Sequence, residues 1–143
     1  MIVKATDKDI EFILTKATDA ASEGVQQEIS SEKAEALFTN ILKNDGYYLV
    51  YKNSEDEVGG WILLGENKDY FTDIKHGFIY DIYVLPSFRG KSISKNLIIE
   101  GINSLKSKGF NEIRLNVYSS NHAKEIYKKL GFEDLHSIMT ISV

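Results

Sequence analysis

The stretch "YDIYVLPSFRGKSISKNLI", Tyr80–Ile98, begins with the residue types of a strand, turns at the chain's one proline, Pro86, and ends in apolar residues at helical spacing. Between the two halves lie Arg89, Lys91 and Lys95, a local concentration of cations in a chain whose net charge is −4. A turn that leaves a strand and opens a helix exposes that helix's first N–H groups and the positive end of its dipole. Anions are received at such places. Ser92 and Ser94 are short enough to let an oxygen-rich group approach the backbone, and a diphosphate suits this mixture of fixed donors and cations. A solvated basic helix start would carry the same residues, so the stretch alone leaves both readings open.

The elements around it follow from periodicity. "MIVKA" reads as a strand, and Thr6 with Asp9 forms a capping box before Ile10, Ile13, Leu14 and Ala17. Gly24 is expected to interrupt this first helix. A second helix from about Ser31 carries the stripe Ala34, Leu37, Phe38, Ile41 and Leu42 and stops at Asn44-Asp45-Gly46. "YYLVYKN" and "VGGWILLGE" flank the turn "SEDE" as a hairpin, with the polar "NKDYFTD" after it as a loop. "GFIYDIYVLP" is a strand, a helix from about Gly90 follows to Gly109, and "EIRLNVY" is the next strand. The last helix is expected from about Ser120 to Leu130, with Ala123, Ile126, Tyr127 and Leu130 inward, and "SIMTISV" as a closing strand. The order β-α-α-β-β-β-α-β-α-β predicts an α/β fold with a mixed, largely antiparallel central sheet and helices on both faces. The strand-helix-strand unit from Gly77 to Tyr118 should lay its two strands parallel through a right-handed crossover.

Composition narrows the function classes. With 143 residues and 43% hydrophobic content the chain suits a single domain, 1–143, with a real core. It has no apolar run of membrane-spanning length and no secretory leader pattern, so a soluble, cytoplasmic protein is expected. There is no cysteine, hence no disulfide and no thiol nucleophile, and His76, His122 and His136 lack metal-ligand spacing. No metal is expected. The acidic balance argues against a nucleic-acid partner.

The run Tyr80–Ile98 resembles the acyl-CoA-binding segment of the Gcn5-related N-acetyltransferases, Q/R-x-x-G-x-G/A between a strand and a helix. Arg89, Ser92 and Ser94 occupy its defined positions, with serine in place of both later glycines. "SNHAKEIYKKLGF" resembles the family's N-x-x-A-x-x-x-Y-x-x-x-G-F, with Ala123, Tyr127, Gly131 and Phe132 in register; the asparagine position falls on Ser120, and Asn121 is one residue later. The order of the landmarks and of the elements agrees over nearly the whole chain.

What the resemblance implies is an acyl-CoA N-acyltransferase fold with one splayed parallel strand pair and acetyl-CoA as co-substrate. The pantetheine arm would lie along Ile82, Tyr83 and Val84, and the diphosphate along Arg89, Gly90, Lys91, Ser92, Ile93 and Ser94. Ser120 and Asn121 would approach the cofactor or cap the last helix. Tyr127 is the implied general acid for the departing thiolate, with a core role as its rival. Serine replaces glycine without harm where φ stays negative, and at a cost where it must be positive. Relatives often carry a glutamate at the position of Tyr80, before the aspartate retained here as Asp81. Adjacent strand residues face opposite ways, so Asp81 can serve as base only if a bulge rotates the strand. The expected activity is acetyl transfer from acetyl-CoA to an amine by direct attack on the thioester. A non-catalytic acyl-CoA-binding module, or an enzyme acting on protein N-termini or lysines, are the alternatives. The chain is expected as a monomer or homodimer, with substrate choice in the first two helices and the loop after Gly65.

Overall fold

A computed structural model describes residues 1–25 and 30–143. Strand β1 (Ile2–Lys4) leads to Thr6, whose hydroxyl accepts the N–H of Asp9 at 3.2 Å while the Asp9 carboxylate accepts the N–H of Thr6 at 2.9 Å. This reciprocal cap opens helix α1 (Asp7–Thr15). The Asp9 carboxylate also lies 3.0 Å from the ammonium of Lys52, which ties the start of α1 to strand β2 (Tyr47–Lys52). Burial works to raise the Asp9 pKa, but the hydrogen bonds from Thr6 and Lys52 outweigh it and hold the carboxyl below its usual range.

The expected break at Gly24 falls earlier. Helix α1 ends at Lys16, whose N–H turns back to the carbonyls of Ile13 and Leu14, and α2 (Ala17–Val25) continues through Gly24. A single glycine lowers helix propensity by about 1 kcal/mol, too little to decide a boundary against packing. Ser30 caps α3 (Ser31–Lys43), its hydroxyl accepting the N–H of Lys33.

Strands β3 (Val58–Lys68), β4 (Lys75–Val84) and β5 (Ile113–Leu115) complete a sheet of order β1-β2-β3-β4-β5. Strand β3 reaches into the stretch expected to be loop, because Asn67 and Lys68 pair with His76 and Lys75. All neighbours are antiparallel except β4 and β5, which run parallel across helix α4 (Ile93–Ser107). Strand alternation divides the core in two. Trp61 and Leu63 of β3 pack with Ile13, Ala17, Phe38 and Tyr48 on the face covered by α1 to α3. Ile62 and Leu64 point the other way, toward Leu97, Ile98 and Leu105 of α4 and Tyr127 of helix α5 (Ala123–Lys129). Gly101 lets α4 sit close, since a Cβ there would stand 2.9 Å from Ile62 Cδ1.

The end of the chain departs from expectation. "EIRLNVY" pairs only through Ile113–Leu115, α5 begins at Ala123 rather than Ser120, and Ile126 is exposed rather than inward. The stretch "SIMTISV" forms no strand. After α5 the chain is held at Asp134, which pairs with Lys124 at 3.0 Å and Lys128 at 3.6 Å on the outer surface of that helix. From there it leaves the body, with Ile138, Met139 and Ile141 84–94% exposed. Alternating apolar residues form a strand only where a partner edge is within reach.

Candidate active site

The site begins where β4 loses its neighbour. Residues Gly77, Phe78 and Ile79 pair with Ile113, Arg114 and Leu115, and β4 then continues to Val84 without β5 beside it. The break coincides with a bulge. Leu63 of β3 faces Asp81 while Leu64 faces Ile79, so Tyr80 is an extra residue on β4. Tyr80 packs on the α1–α3 face, and Asp81 receives a hydrogen bond from the Nε1 of Trp61, a residue of that same core, at 3.2 Å. Two successive side chains therefore share one face. The condition that sequence reasoning set for Asp81 is met by this irregularity.

Asp81 has an unusual environment for a carboxylate. Burial pushes its pKa up to about 7, against the pull of the Trp61 indole and the N–H of Ile82. Tyr48 stands in the same core, 1% exposed, with its hydroxyl buried and no partner among the described residues. Burial first and then the charge of Asp81 raise the pKa of that phenol, and the same two causes push Tyr127 up to about 12. Tyr127 is buried on the opposite core, packed edge-on against Phe132. Its ring completes the core, and its phenol stays protonated across the neutral range.

The turn from β4 into α4 is built from Pro86–Phe88 in a 3-10 turn followed by Arg89 to Ser92. Gly90 has φ +83° with open space where a Cβ would point. Ser92 precedes the first helical residue with φ 59° and ψ 22°, the left-handed region, and makes no side-chain cap. Of the two serines at glycine positions, this one takes the costly conformation; Ser94 lies inside α4. The first N–H groups of α4 are left without a capping side chain from Ser92, beside exposed Lys91 and Lys95. Arg89 is differently occupied. Its Nε donates to the Val84 carbonyl at 2.9 Å, its guanidinium pairs with Glu23 of α2 at 2.9 Å, and it lies 5.4 Å from the centroid of the Tyr83 ring.

Ile82 and Val84 lie on the part of β4 that pairs with β3 alone, opposite Ile62 and Gly60, with Tyr83 between them facing Trp61. Ser120 and Asn121 enter α5, and Asn121 Oδ1 accepts the N–H of Ala123 at 2.9 Å. On the α3 side, Leu37, Asn40, Ile41, Asn44, Gly46, Gly65, Glu66 and Tyr80 line an open cleft of ≈340 Å³. The Tyr80 hydroxyl donates to the Glu66 carbonyl at 2.7 Å, which fixes the ring at the cleft wall. Sequence reasoning placed Trp61 among packing residues and overlooked Tyr48. The register sets Trp61 opposite Tyr83 and so diagonal to Asp81, a placement that the sequence alone does not give. The Arg89–Glu23 pair joins residues far apart in the chain and likewise has no local pattern.

The sheet is mixed, its parallel pair parts beside a bulge, and the helix that follows starts without a side-chain cap from Ser92. Residues 11–132 match the model of the Acetyltransferase (GNAT) family, and the chain belongs to it. It is 33% identical over 64 residues to the [ribosomal protein bS18]-alanine N-acetyltransferase of Haemophilus influenzae, covering 45% of this chain and 44% of that protein. The chain spans about half the length, or less, of the curated relatives it matches. Among solved structures, a proposed acetyl transferase from Pyrococcus furiosus superposes with TM-score 0.86 at 26% identity, over 100% of this chain and 99% of the other. An aminoglycoside N-acetyltransferase in complex with CoA has the same fold, with TM-score 0.76 at 19% identity over 100% and 93% of the two chains.

Proposed function

We propose that this protein transfers an acetyl group from acetyl-CoA to an α-amino group, with Asp81 as general base and Tyr127 as general acid. The observation that carries this reading is the bulge at Tyr80, which turns Asp81 toward the α1–α3 face at the point where β4 parts from β5. The residues at the turn fit an acyl-CoA. The β4 main chain at Ile82 to Val84, which has no β5 beside it and whose Val84 carbonyl accepts from Arg89, would lie along the pantetheine, and the N–H groups from Gly90 to Ser94, with Lys91, would hold the diphosphate. Acetyl-CoA supplies the activated acyl group as a thioester. Arg89 acts indirectly in this reading, by fixing the Val84 carbonyl and the Tyr83 ring that border the channel.

Asp81 takes the proton that the attacking ammonium must lose, and the preference for an α-amine follows from its pKa. An ammonium of pKa about 8 gives its proton to a carboxylate titrating near 7 at a cost of about 1.4 kcal/mol; a lysine-type ammonium at about 10.4 costs more than 4 kcal/mol. The cleft lined by Tyr80, Glu66 and α3 is the route for the acceptor. Similarity to an enzyme named for acetylating an alanine of a ribosomal protein supports the same class of acceptor. The test is release of free CoA from acetyl-CoA with a panel of short peptides. Those with a free α-amine should turn over, and those blocked at the N-terminus with an internal lysine should not. Faster turnover of the blocked lysine peptides would reject the α-amine reading, and release with neither would leave the binding-module alternative.

A further inference from the structure

Two features of the last third of the chain are each other's complement and do not meet. One is the outer edge of β5, the final strand of the sheet among the described residues. Its residues Ile113 and Leu115, with Val117 beyond them, pack toward the α4–α5 core yet remain only half-buried. The other is the segment 137–143. By strand parity Met139, Ile141 and Val143 share one face, and 91% of Met139 and 84% of Ile141 are exposed. Exposure of that degree at successive apolar residues leaves them bare of their own body. The ion pairs that fix Asp134 to the outer surface of α5 set the direction in which the segment departs.

A third apolar region lies beside the same edge. Arg114 of β5 binds Asp69 at 2.8 Å and so fixes the connection between β3 and β4 next to β5. At that connection Tyr70 and Phe71 are 89% and 90% exposed and Ile74 is 65% exposed. Tyr70 and Phe71 meet edge-on at 5.2 Å, so exposed apolar side chains stand on the connection that Arg114 ties to β5.

We infer that the segment 137–143 of one copy adds as a strand to the β5 edge of a second copy, and that the exchange is reciprocal. In this conformation a single chain leaves both the edge and the arm unsatisfied. Two copies related by a two-fold axis would satisfy both twice. The parity agrees: Met139, Ile141 and Val143 on one face continue the row that Ile113, Leu115 and Val117 present to the α4–α5 core. Main-chain bonds from the added strand would cap the edge, and its apolar face would extend the second core across the interface. The added strand would lie on the far side of β5 from the opening between β4 and β5, bracing β5 as one border of the site. This interface is independent of the acceptor assigned above.

Light scattering after size exclusion should give a mass twice 16.2 kDa for the full chain. Amide exchange should show protection across 138–142 that disappears on dilution together with the dimer. Ile141→Lys should give a monomer, and because the segment lies outside the body, that variant should retain the circular dichroism of the parent. Three results would overturn the inference. One is a monomer with concentration-independent protection at 138–142, meaning that the arm closes on its own β5. Another is a monomer with no protection there. The last is a dimer that survives Ile141→Lys.

Discussion

Replacing Asp81 with asparagine should make the protein more stable and the site less active. The carboxyl titrates near 7 in the native protein and near 3.8 when the chain is unfolded. Below about pH 4 both states carry the proton and the group contributes nothing to the pH dependence. Between the two values the unfolded chain releases a proton that the native protein keeps, so stability falls as pH rises, and above about 7 the full penalty is present. A gap of about three pH units at 1.36 kcal/mol each is a penalty of about 4 kcal/mol. Asparagine never ionises, and its Oδ1 can still accept from the Trp61 indole. The advantage of Asp81→Asn should therefore grow from near zero at pH 4 to about 4 kcal/mol at pH 8. With an unfolding entropy of about 2.1 cal/mol/K per residue, that is a rise in Tm of roughly 10 °C or more. Thermal melts of both proteins at pH 4, 6 and 8 measure it. In parallel, kcat/KM should lose its acidic limb near pH 7 and fall by about 10²-fold or more. Equal differences in Tm at all three pH values would refute the burial argument, and an unchanged pH–rate profile would refute the role as base.

Ser92→Gly should stabilise the fold by about 1 kcal/mol through relief of a left-handed serine, whereas Ser94→Gly should destabilise it by roughly 0.5 kcal/mol as a glycine inside a helix; denaturant midpoints compare the two. Tyr127→Phe should lower turnover by about 10²-fold with acetyl-CoA affinity unchanged, and a turnover equal to the parent, with chemistry rate-limiting, would move the acid elsewhere. Lys91→Glu should weaken CoA binding in calorimetry without lowering Tm, since Lys91 is exposed at the turn. Arg89→Gln should instead lower Tm and CoA affinity together, because it removes the bonds to Glu23 and the Val84 carbonyl.

Most elements up to β4 were legible because they rest on local rules, whereas the split of the first helix at Lys16 and the reach of β3 to Lys68 were not. Thr6 and Asp9 cap α1 across three residues, Ser30 caps α3, and Asn44 to Gly46 end it. The mixed sheet and its parallel pair followed from the crossover between β4 and β5. What escaped the sequence depends on registration between distant segments. No local pattern places a bulge at Tyr80 or gives Ser92 its φ, because both are fixed by how β3 and α4 pack on β4. The segment 137–143 has the alternation of a strand, and that pattern is blind to whether an edge lies within reach. For the site, the motif located the turn and the last helix, while the partner of Arg89 on α2 and the indole on Asp81 emerged only from the folded geometry.

The extra residue in β4 changes how ancestry should be traced at this position. A regular strand allows one side chain per two residues to reach a given face, and loss of a carboxylate from that place removes it from the chemistry. Here Tyr80 and Asp81 both reach it, so the strand offers two addresses for one acid, separated by a single codon. With tyrosine at the first address, the aspartate at the second still stands on the same face, without any change of register elsewhere in the sheet. A comparison made at the first position alone would score the acid as lost, although a carboxylate remains on that face one residue further on.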